Sequence, residues 1–163
     1  MGIIESISSR SSSGGLIGAI IRLVLRFCQF ILALTVAGLY GVDLSHANKA
    51  GAHADGKWVF AEVVASLSAI TVIVYAIPFV KSYWFFAWDW ILFVLWTALF
   101  GLFGSIFIPA KPTPKQDGQI RMKHAVWVDL VAMIFWFVTA IYSTLIWFRN
   151  RQGRSLHTGR AKV

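Results

Sequence analysis

The sequence is poor in charged residues and in cysteine. Only 13% of its 163 residues are charged, against about 25% in a soluble domain, and 58% are hydrophobic. This composition predicts an integral membrane protein without a separate soluble domain. The only cysteine, Cys28, excludes an intramolecular disulfide. We interpret it as a small buried residue, with palmitoylation as the alternative. The chain also contains no Asn-x-Ser/Thr triplet, so N-glycosylation is not expected.

Histidines are missing from the positions where a membrane enzyme would need them. The four histidines lie in predicted loops, at a helix end or in a tail: His46, His53, His124 and His157. A transmembrane haem would need histidines within helices, and hydrolysis or acyl transfer would need paired acids or a Ser/His or Cys/His set at one depth. The loop histidines with Asp43 and Asp55 match no recognised metal-ligand spacing. We therefore expect no enzyme activity, catalytic residue, cofactor or metal site.

The sequence does contain four apolar blocks, each long enough to cross a bilayer core of about 30 Å as a helix. The predicted helices cover about residues 17–41, 58–80, 83–109 and 124–148. Because the second and third blocks are separated by very few residues, they must form an antiparallel hairpin. The predicted fold class is therefore all-α: an integral membrane four-helix bundle, or tetraspan, with antiparallel up-down topology. We favour a retained first helix over a cleaved signal peptide because its apolar block is too long.

The distribution of cations predicts the orientation of the bundle. Residues 1–15 form a Ser-rich tail that we expect to be flexible, residues 16–149 form the membrane domain, and residues 150–163 form a basic tail. Nine Lys and Arg lie on the side of the termini and six in the opposite loops, which predicts cytoplasmic termini. The net charge of +8 lies in loops and tails, which argues against nucleic-acid binding. Three arginines are expected to contact anionic lipid headgroups of the inner leaflet: Arg149, Arg151 and Arg154.

Five charged residues fall inside the predicted helices: Arg22, Arg26, Glu62, Asp89 and Asp129. A charge there costs about 2.5–3.5 kcal/mol on insertion scales and is functional by default. Asp89 should lie level with Arg26 or Arg22. Glu62 and Asp129 should lie near the outer end, close to four cations: Lys57, Arg121, Lys123 and His124. These residues could form a proton or cation path, or an ion-pair belt at each end that fixes helix order. We favour the belts because no acid, histidine or lysine lies in the middle third of any helix.

Small residues at helical spacing predict where helices approach one another, because lipid gives apolar surface no preference for a neighbouring helix. The predicted packing positions are Ala33, Ala37, Ala61, Ala65, Ala69, Thr97, Gly101, Gly104 and Ser105. In the third helix, the i, i+4 row from Asp89 to Ser105 is predicted to face protein, with the aromatic side chains facing lipid. In the fourth helix, one face carries Asp129, Ala132, Trp136, Thr139 or Ala140, and Ser143.

The third and fourth helices contain FAWDWILFVLWTALFGLFGSIF and MKHAVWVDLVAMIFWFVTAIY. With four helices and cytoplasmic termini, these segments resemble the MARVEL-domain family, most closely its small four-helix members from filamentous fungi. The resemblance covers about Ile17 to Arg149 and is carried by Trp88-Asp89-Trp90 with the Gly-rich run, and by Met122-Lys123 with Trp127-Val128-Asp129. It implies a non-enzymatic tetraspan of sterol-rich membrane, associated with membrane apposition, vesicle trafficking and lateral microdomains. The chain lacks the outer-loop cysteines of many animal members, so a disulfide-dependent adhesive role is not expected.

From these features we expect a membrane scaffold that organises sterol-rich microdomains in the plasma membrane or in endomembrane vesicles. Its expected partners are membrane lipids, sister copies or other membrane proteins, and not nucleic acid. Two alternatives belong to other classes. The first is a small channel or transporter, or an accessory subunit of one. The second is a redox or lipid-modifying membrane enzyme, which would hold a haem or a site at the bilayer midplane.

Overall fold

The structure, a computed structural model, describes residues 15–49, 51, 56–76, 86–109 and 117–155. Four α-helices run through these residues: α1 (Gly15–Lys49), α2 (Gly56–Ala76), α3 (Phe86–Phe107) and α4 (Asp117–Ser155). Each contains a segment that is long and apolar enough to cross a membrane, and the described residues include no strand. The predicted all-α fold with four membrane-spanning helices is confirmed. Most of the predicted terminal tails lies outside the described residues.

The first and last helices are longer than the sequence predicted. Helix α1 has 35 residues and α4 has 39, which at 1.5 Å per residue gives about 52 and 58 Å. Both therefore extend well beyond a hydrocarbon core of about 30 Å. We predicted a loop from residue 41 and a fourth helix from residue 124, because the adjoining residues are polar. The structure keeps them helical, and Arg121 of α4 forms an ion pair with Asp43 of α1 that joins the two extensions.

The four helices form a closed ring in chain order. Helix α1 packs along α2 and along α4, and α3 packs along α4. Helices α2 and α3 meet over a smaller surface, although they are consecutive in the chain. Helices α1 and α3 are therefore diagonal to each other across the bundle axis. Four antiparallel spans place the beginning of α1 and the end of α4 on the same side, which we call the inner side. The opposite side is called the outer side.

The bundle axis is filled by large apolar side chains with alanines between them. Trp96, Leu92 and Leu99 of α3 and Trp136 of α4 have no exposed surface. Six alanines on three helices are also fully or almost fully buried and allow the backbones to approach: Ala33, Ala61, Ala65, Ala125, Ala132 and Ala140. In lipid, where burial of apolar surface gives little driving force, such close packing holds helices together by dispersion contacts. The centre of the bundle is therefore closed.

The predicted packing positions divide into three groups. Ala33, Ala61, Ala65 and Gly104 are buried, and Ala37 and Ala69 are partly buried. Thr97, Gly101 and Ser105 are exposed, so the prediction that this part of α3 faces protein was wrong. Each i to i+4 step turns a helix about 40° away from its starting face, so four steps carry the row about 160° around the axis. The row therefore begins inside at Asp89 and ends outside.

The face of α3 that packs inside the bundle instead follows alternating steps of three and four residues. Its buried residues are Asp89, Leu92, Trp96, Leu99, Phe103 and Gly104. The prediction that the aromatic side chains of this helix all face lipid was also wrong, since Trp96 is completely buried. In α4, all the residues that were predicted to share one face are buried. Cys28, which we expected to be buried, is partly exposed.

Candidate functional site

The inner half of the bundle contains a buried polar cluster made of Arg26, Gln29, Asp89, Thr139 and Ser143. A guanidinium nitrogen of Arg26 lies 2.7 Å from Oδ2 of Asp89, whose side chain is completely buried. The prediction that Asp89 lies level with Arg26 or Arg22 is confirmed, and Arg26 is the partner. Arg22 instead donates to the carbonyl oxygen of Gly18, one turn earlier in α1, at 3.2 Å.

Further hydrogen bonds extend this inner cluster across three helices. Nη1 of Arg26 donates to the side-chain oxygen of Gln29 at 3.0 Å, and the amide of Gln29 donates to Oγ1 of Thr139 at 2.9 Å. The hydroxyl of Ser143 donates to Oδ2 of Asp89 at 2.9 Å. The cluster therefore ties α1 to α3 through the ion pair, α1 to α4 through the hydroxyl of Thr139, and α3 to α4 through the hydroxyl of Ser143.

Two aromatic rings enclose the charged end of Arg26. Its guanidinium carbon lies 4.5 Å from the ring centre of Tyr75 on α2 and 5.3 Å from that of Trp136 on α4. Both distances are within the range of a cation–π attraction, which is stronger where water is excluded. Arg26 of α1 therefore contacts side chains of all three other helices. The inner cluster is suited to fixing the arrangement of the helices around the axis.

A second group of polar residues lies in the outer half. The hydroxyl of Tyr40 on α1 donates to Oδ2 of Asp129 on α4 at 2.6 Å, and both residues are almost completely buried. Asp43, one turn further out, pairs with Arg121. Glu62 of α2 lies beside Gly41, where an added Cβ would be 3.8 and 3.9 Å from its two carboxylate oxygens. We call these residues the outer cluster.

Glu62 and Asp129 were predicted to lie near four cations, and for Asp129 the structure shows a different partner. Asp129 accepts a hydrogen bond from a tyrosine, and Arg121 is occupied by Asp43. Arg121 lies eight residues before Asp129 in the same helix, which is about 12 Å along the axis. That separation is too large for direct contact. Arg121 is therefore not the partner of the buried Asp129.

The two clusters are separated by the closed centre of the bundle. Arg26 and Tyr40 are 14 residues apart in α1, and Asp129 and Ser143 are 14 residues apart in α4. At 1.5 Å per residue, each interval is about 21 Å. Between them lie the two buried tryptophans, and the indole nitrogen of Trp96 donates to the hydroxyl of Ser68 at 2.9 Å. No chain of ionisable groups connects the clusters within the described residues.

Other polar side chains in the inner half pair between neighbouring helices. The indole nitrogen of Trp88 donates to Oγ1 of Thr71 at 3.0 Å, and that of Trp90 donates to Oγ1 of Thr144 at 3.1 Å. These bonds join α3 to α2 and to α4. Among the described residues, no group of three or more His, Cys, Asp or Glu is placed to hold a metal ion. The arrangement is that of polar groups that stabilise one another.

Sequence reasoning missed three polar residues of these clusters. Gln29 was not singled out because glutamine is uncharged, and Tyr40 was treated only as the end of an apolar block. Asp43 was placed in a loop that the structure replaces with helix. The spacing of three residues from Arg26 to Gln29 and from Tyr40 to Asp43 is the available signal, because it puts each pair on one face of α1.

The basic tail is described only at its beginning. Arg149 is exposed at the inner end of α4, as a lipid-binding role requires. The side chains of Arg151 and Arg154 lie outside the described residues, so the predicted headgroup contacts remain predictions. Comparison of the chain with protein-family models, curated proteins and solved structures finds no match.

Proposed function

We propose that this chain is a non-enzymatic tetraspan scaffold that organises lipids and partner proteins laterally in sterol-rich membrane. On this proposal it works in microdomains, membrane apposition or vesicle trafficking, as the resemblance to the MARVEL-domain family suggests. The proposal combines that resemblance with two properties of the bundle: a closed interior and an outer surface that is free to contact lipid or other copies.

The observation that carries the proposal is the filled bundle axis. Trp96, Trp136, Leu92 and Leu99 have no exposed surface, and they occupy the depth between the inner and outer clusters. A channel or an alternating-access transporter needs polar groups or irregular backbone at that depth. Here the four helices are continuous across the membrane, and Asp89 and Asp129 each accept hydrogen bonds from side chains of other helices through one carboxylate oxygen. The interior is therefore suited to rigidity, which leaves interaction to the exterior.

The exterior of α3 offers a face for close contact. Thr97, Gly101 and Ser105 are exposed on neighbouring turns, and an added Cβ at Gly101 would have no atom within 4 Å. The hydroxyls of Thr97 and Ser105 bond to backbone carbonyls of their own helix. Because these hydroxyls are satisfied internally, the face can lie against lipid chains or a sister helix without leaving a polar group unpaired.

Imaging of a tagged copy at native level in its own cells tests the proposal. We expect stable patches in the plasma membrane that disperse when sterol is depleted. A sterol-depleted cell expressing an unrelated plasma-membrane marker serves as the control for general disruption. A uniform or purely internal signal that does not respond to sterol would contradict the microdomain function and would favour a trafficking cargo or a transporter.

The second candidate is a small channel or transporter, or its accessory subunit. Two buried carboxyl groups within the membrane, Asp89 and Asp129, favour it, because intramembrane acids are functional by default. Purified protein in liposomes should then conduct ions or protons, with flux lost in an Asp129→Asn variant. On the scaffold proposal, the same liposomes show no flux above that of protein-free vesicles.

A further inference from the structure

A shallow pocket of about 350 Å³ opens at the outer end of the bundle. It is lined by six residues from all four helices: Asp43, Trp58, Phe107, Gly118, Gln119 and Met122. Phe107 is the last residue of α3, and α2 begins two residues before Trp58. The pocket therefore lies where the spans leave the hydrocarbon core, at the depth of lipid headgroups.

Two aromatic rings form one wall of the pocket. The ring centres of Trp58 and Phe107 are 6.3 Å apart and the rings are tilted by 51°. Trp58 also packs against the rings of Tyr40 and Phe103, at 5.6 and 5.1 Å between ring centres. Aromatic rings attract cations by their quadrupole, and tryptophan does so most strongly. This wall therefore contains aromatic rings of the kind that attract cations, and other rings of the bundle fix the position of Trp58.

A pair of opposite charges lies beside this wall. The carboxylate of Asp43 lines the pocket and pairs with the guanidinium of Arg121. Their side chains are 20% and 30% exposed, so neither charge is sealed from a ligand. Oδ2 of Asp43 is itself buried and accepts no hydrogen bond from any residue in the described part of the chain, so it adds negative charge beside the pocket but no acceptor that a ligand can reach. The pocket thus presents a negative charge and aromatic rings together, with a positive charge next to them.

We propose that this pocket binds the phosphocholine headgroup of a phospholipid in the leaflet on the outer side. The trimethylammonium group carries a positive charge but no N–H, so it needs a nearby carboxylate and aromatic rings and no hydrogen-bond acceptor. Those are the features that Asp43, Trp58 and Phe107 supply. The phosphate beside it accepts hydrogen bonds, and the guanidinium of Arg121 has donors beyond the one given to Asp43.

The charge pattern favours a zwitterionic headgroup over an anionic one. A phosphatidylglycerol headgroup has the phosphate but no cation, so it leaves the aromatic wall and Asp43 without a partner. A phosphatidylethanolamine headgroup has a primary ammonium, whose N–H groups must give up hydrogen bonds to water in order to lie against rings. We therefore expect the order choline, then ethanolamine, then glycerol. The site does not depend on the scaffold function and would serve a transporter equally.

Native mass spectrometry of the purified full chain in detergent tests this site. Dioleoyl phosphatidylcholine, phosphatidylethanolamine and phosphatidylglycerol are titrated separately, so that only the headgroup differs. We expect phosphatidylcholine to bind about fivefold or more tightly than phosphatidylglycerol, since one cation–π contact out of water is worth a factor of this order. Equal dissociation constants for the three lipids would overturn the proposal.

Two variants and one matched control locate the preference. Phe107→Leu removes an aromatic ring and keeps an apolar side chain, and Asp43→Asn removes the negative charge. Phe93→Leu makes the same change near the inner end of α3, about 21 Å away along the helix. We expect the choline preference to fall at least threefold in the first two variants and to persist in the control. The site would be refuted if Phe107→Leu kept the choline preference, or if Phe93→Leu lost it equally, because binding would then lie elsewhere. If Asp43→Asn fails to fold, Phe107→Leu alone decides.

Discussion

The ion pair between Arg26 and Asp89 joins two helices that are diagonal in the bundle. The residues are 63 positions apart in the chain, and their nearest side-chain atoms are 2.7 Å apart. Helices α1 and α3 pack mainly against α2 and α4, so this bond crosses the axis of the ring. A contact across the diagonal restrains all four helices at once, because α2 and α4 are held between its ends. Its loss should therefore affect the whole bundle.

Separating this pair should destabilise the protein strongly. Asp89→Ala leaves the guanidinium of Arg26 buried without its counter-ion, and Arg26→Gln leaves the carboxylate in the same state. Removing one partner of a buried pair costs about 3–5 kcal/mol. We expect a large fall in thermal stability in detergent and reduced surface levels. Arg22→Gln is the matched control, since among the described residues Arg22 bonds only to a carbonyl of its own helix. Equal stability of all three variants would refute the restraint.

The double variant Arg26→Met/Asp89→Leu separates charge from packing. It removes both charges together and replaces them with apolar side chains, which is often neutral for a buried pair. We expect it to be more stable than either single variant in the same unfolding assay. A double variant that is as unstable as the sum of the single variants would show that the pair acts through independent contacts. Normal surface levels of Asp89→Ala with lost flux would instead favour a transport role.

The hydrogen bond from Tyr40 to Asp129 should make a smaller contribution. Tyr40→Phe keeps the ring that packs on Phe103, at 4.6 Å between ring centres, and deletes only the hydroxyl. A buried acceptor left without its donor costs about 1–3 kcal/mol. We expect a drop of that size in the free energy of unfolding, measured by denaturant titration in detergent. Tyr142→Phe is the control, and an equal change in both variants would contradict a specific role for the bond.

The number and order of the helices could be predicted from the sequence because apolar length alone determines them. The buried face of α4 could also be predicted. Its residues Asp129, Ala132, Trp136, Thr139 and Ser143 follow alternating steps of three and four residues. The same alternation in α3 runs through Leu92, Trp96 and Leu99 and would have identified its buried face. The small residues in the i, i+4 row gave the wrong face, because that row winds around the helix.

The partners of the polar residues were harder to predict. Helical depth placed Asp89 level with Arg26 and allowed that pair to be expected. Depth does not decide which of several polar groups at one level is nearest, so Gln29 and Tyr40 were missed. Their selection depends on the rotation of each helix about its own axis, which follows from packing against two neighbours at once. These rotations depend on all the contacts between the helices taken together, so they cannot be predicted from the pattern of one helix at a time.

The two glycines of α3 should respond differently to the same substitution. A Cβ at Gly104 would lie 3.4 Å from Cδ1 of Ile108 and 3.9 Å from Val126 of α4, whereas a Cβ at Gly101 meets no atom within 4 Å. A leucine at Gly104 therefore overpacks the α3–α4 contact, which typically costs about 1–3 kcal/mol. We expect Gly104→Leu to lower thermal stability and Gly101→Leu to leave it nearly unchanged.

Association between copies adds a second measurement for Gly101→Leu. If sister copies meet at the exposed face of α3, the leucine side chain separates the two backbones and weakens van der Waals contact. Energy transfer between donor- and acceptor-labelled copies in liposomes should then fall relative to the unmodified protein. Ile91→Leu, at an exposed position elsewhere on α3, is the control that should leave the transfer unchanged. Equal transfer in the unmodified protein and in Gly101→Leu would exclude this face as the contact.

The basic tail should act on clustering and not on folding. Replacing Arg149, Arg151 and Arg154 by Gln removes three charges, each worth about 1 kcal/mol near an anionic leaflet. Arg149 is exposed at the end of α4, so its loss removes no packing contact from the bundle core. We expect smaller or fewer fluorescent patches with unchanged thermal stability. Replacing Lys111, Lys115 and Lys123 by Gln removes the same charge from the other side of the membrane and should leave the patches intact. Patches that are the same in both triple variants and in the unmodified protein would rule out headgroup attraction by the tail as the cause of clustering.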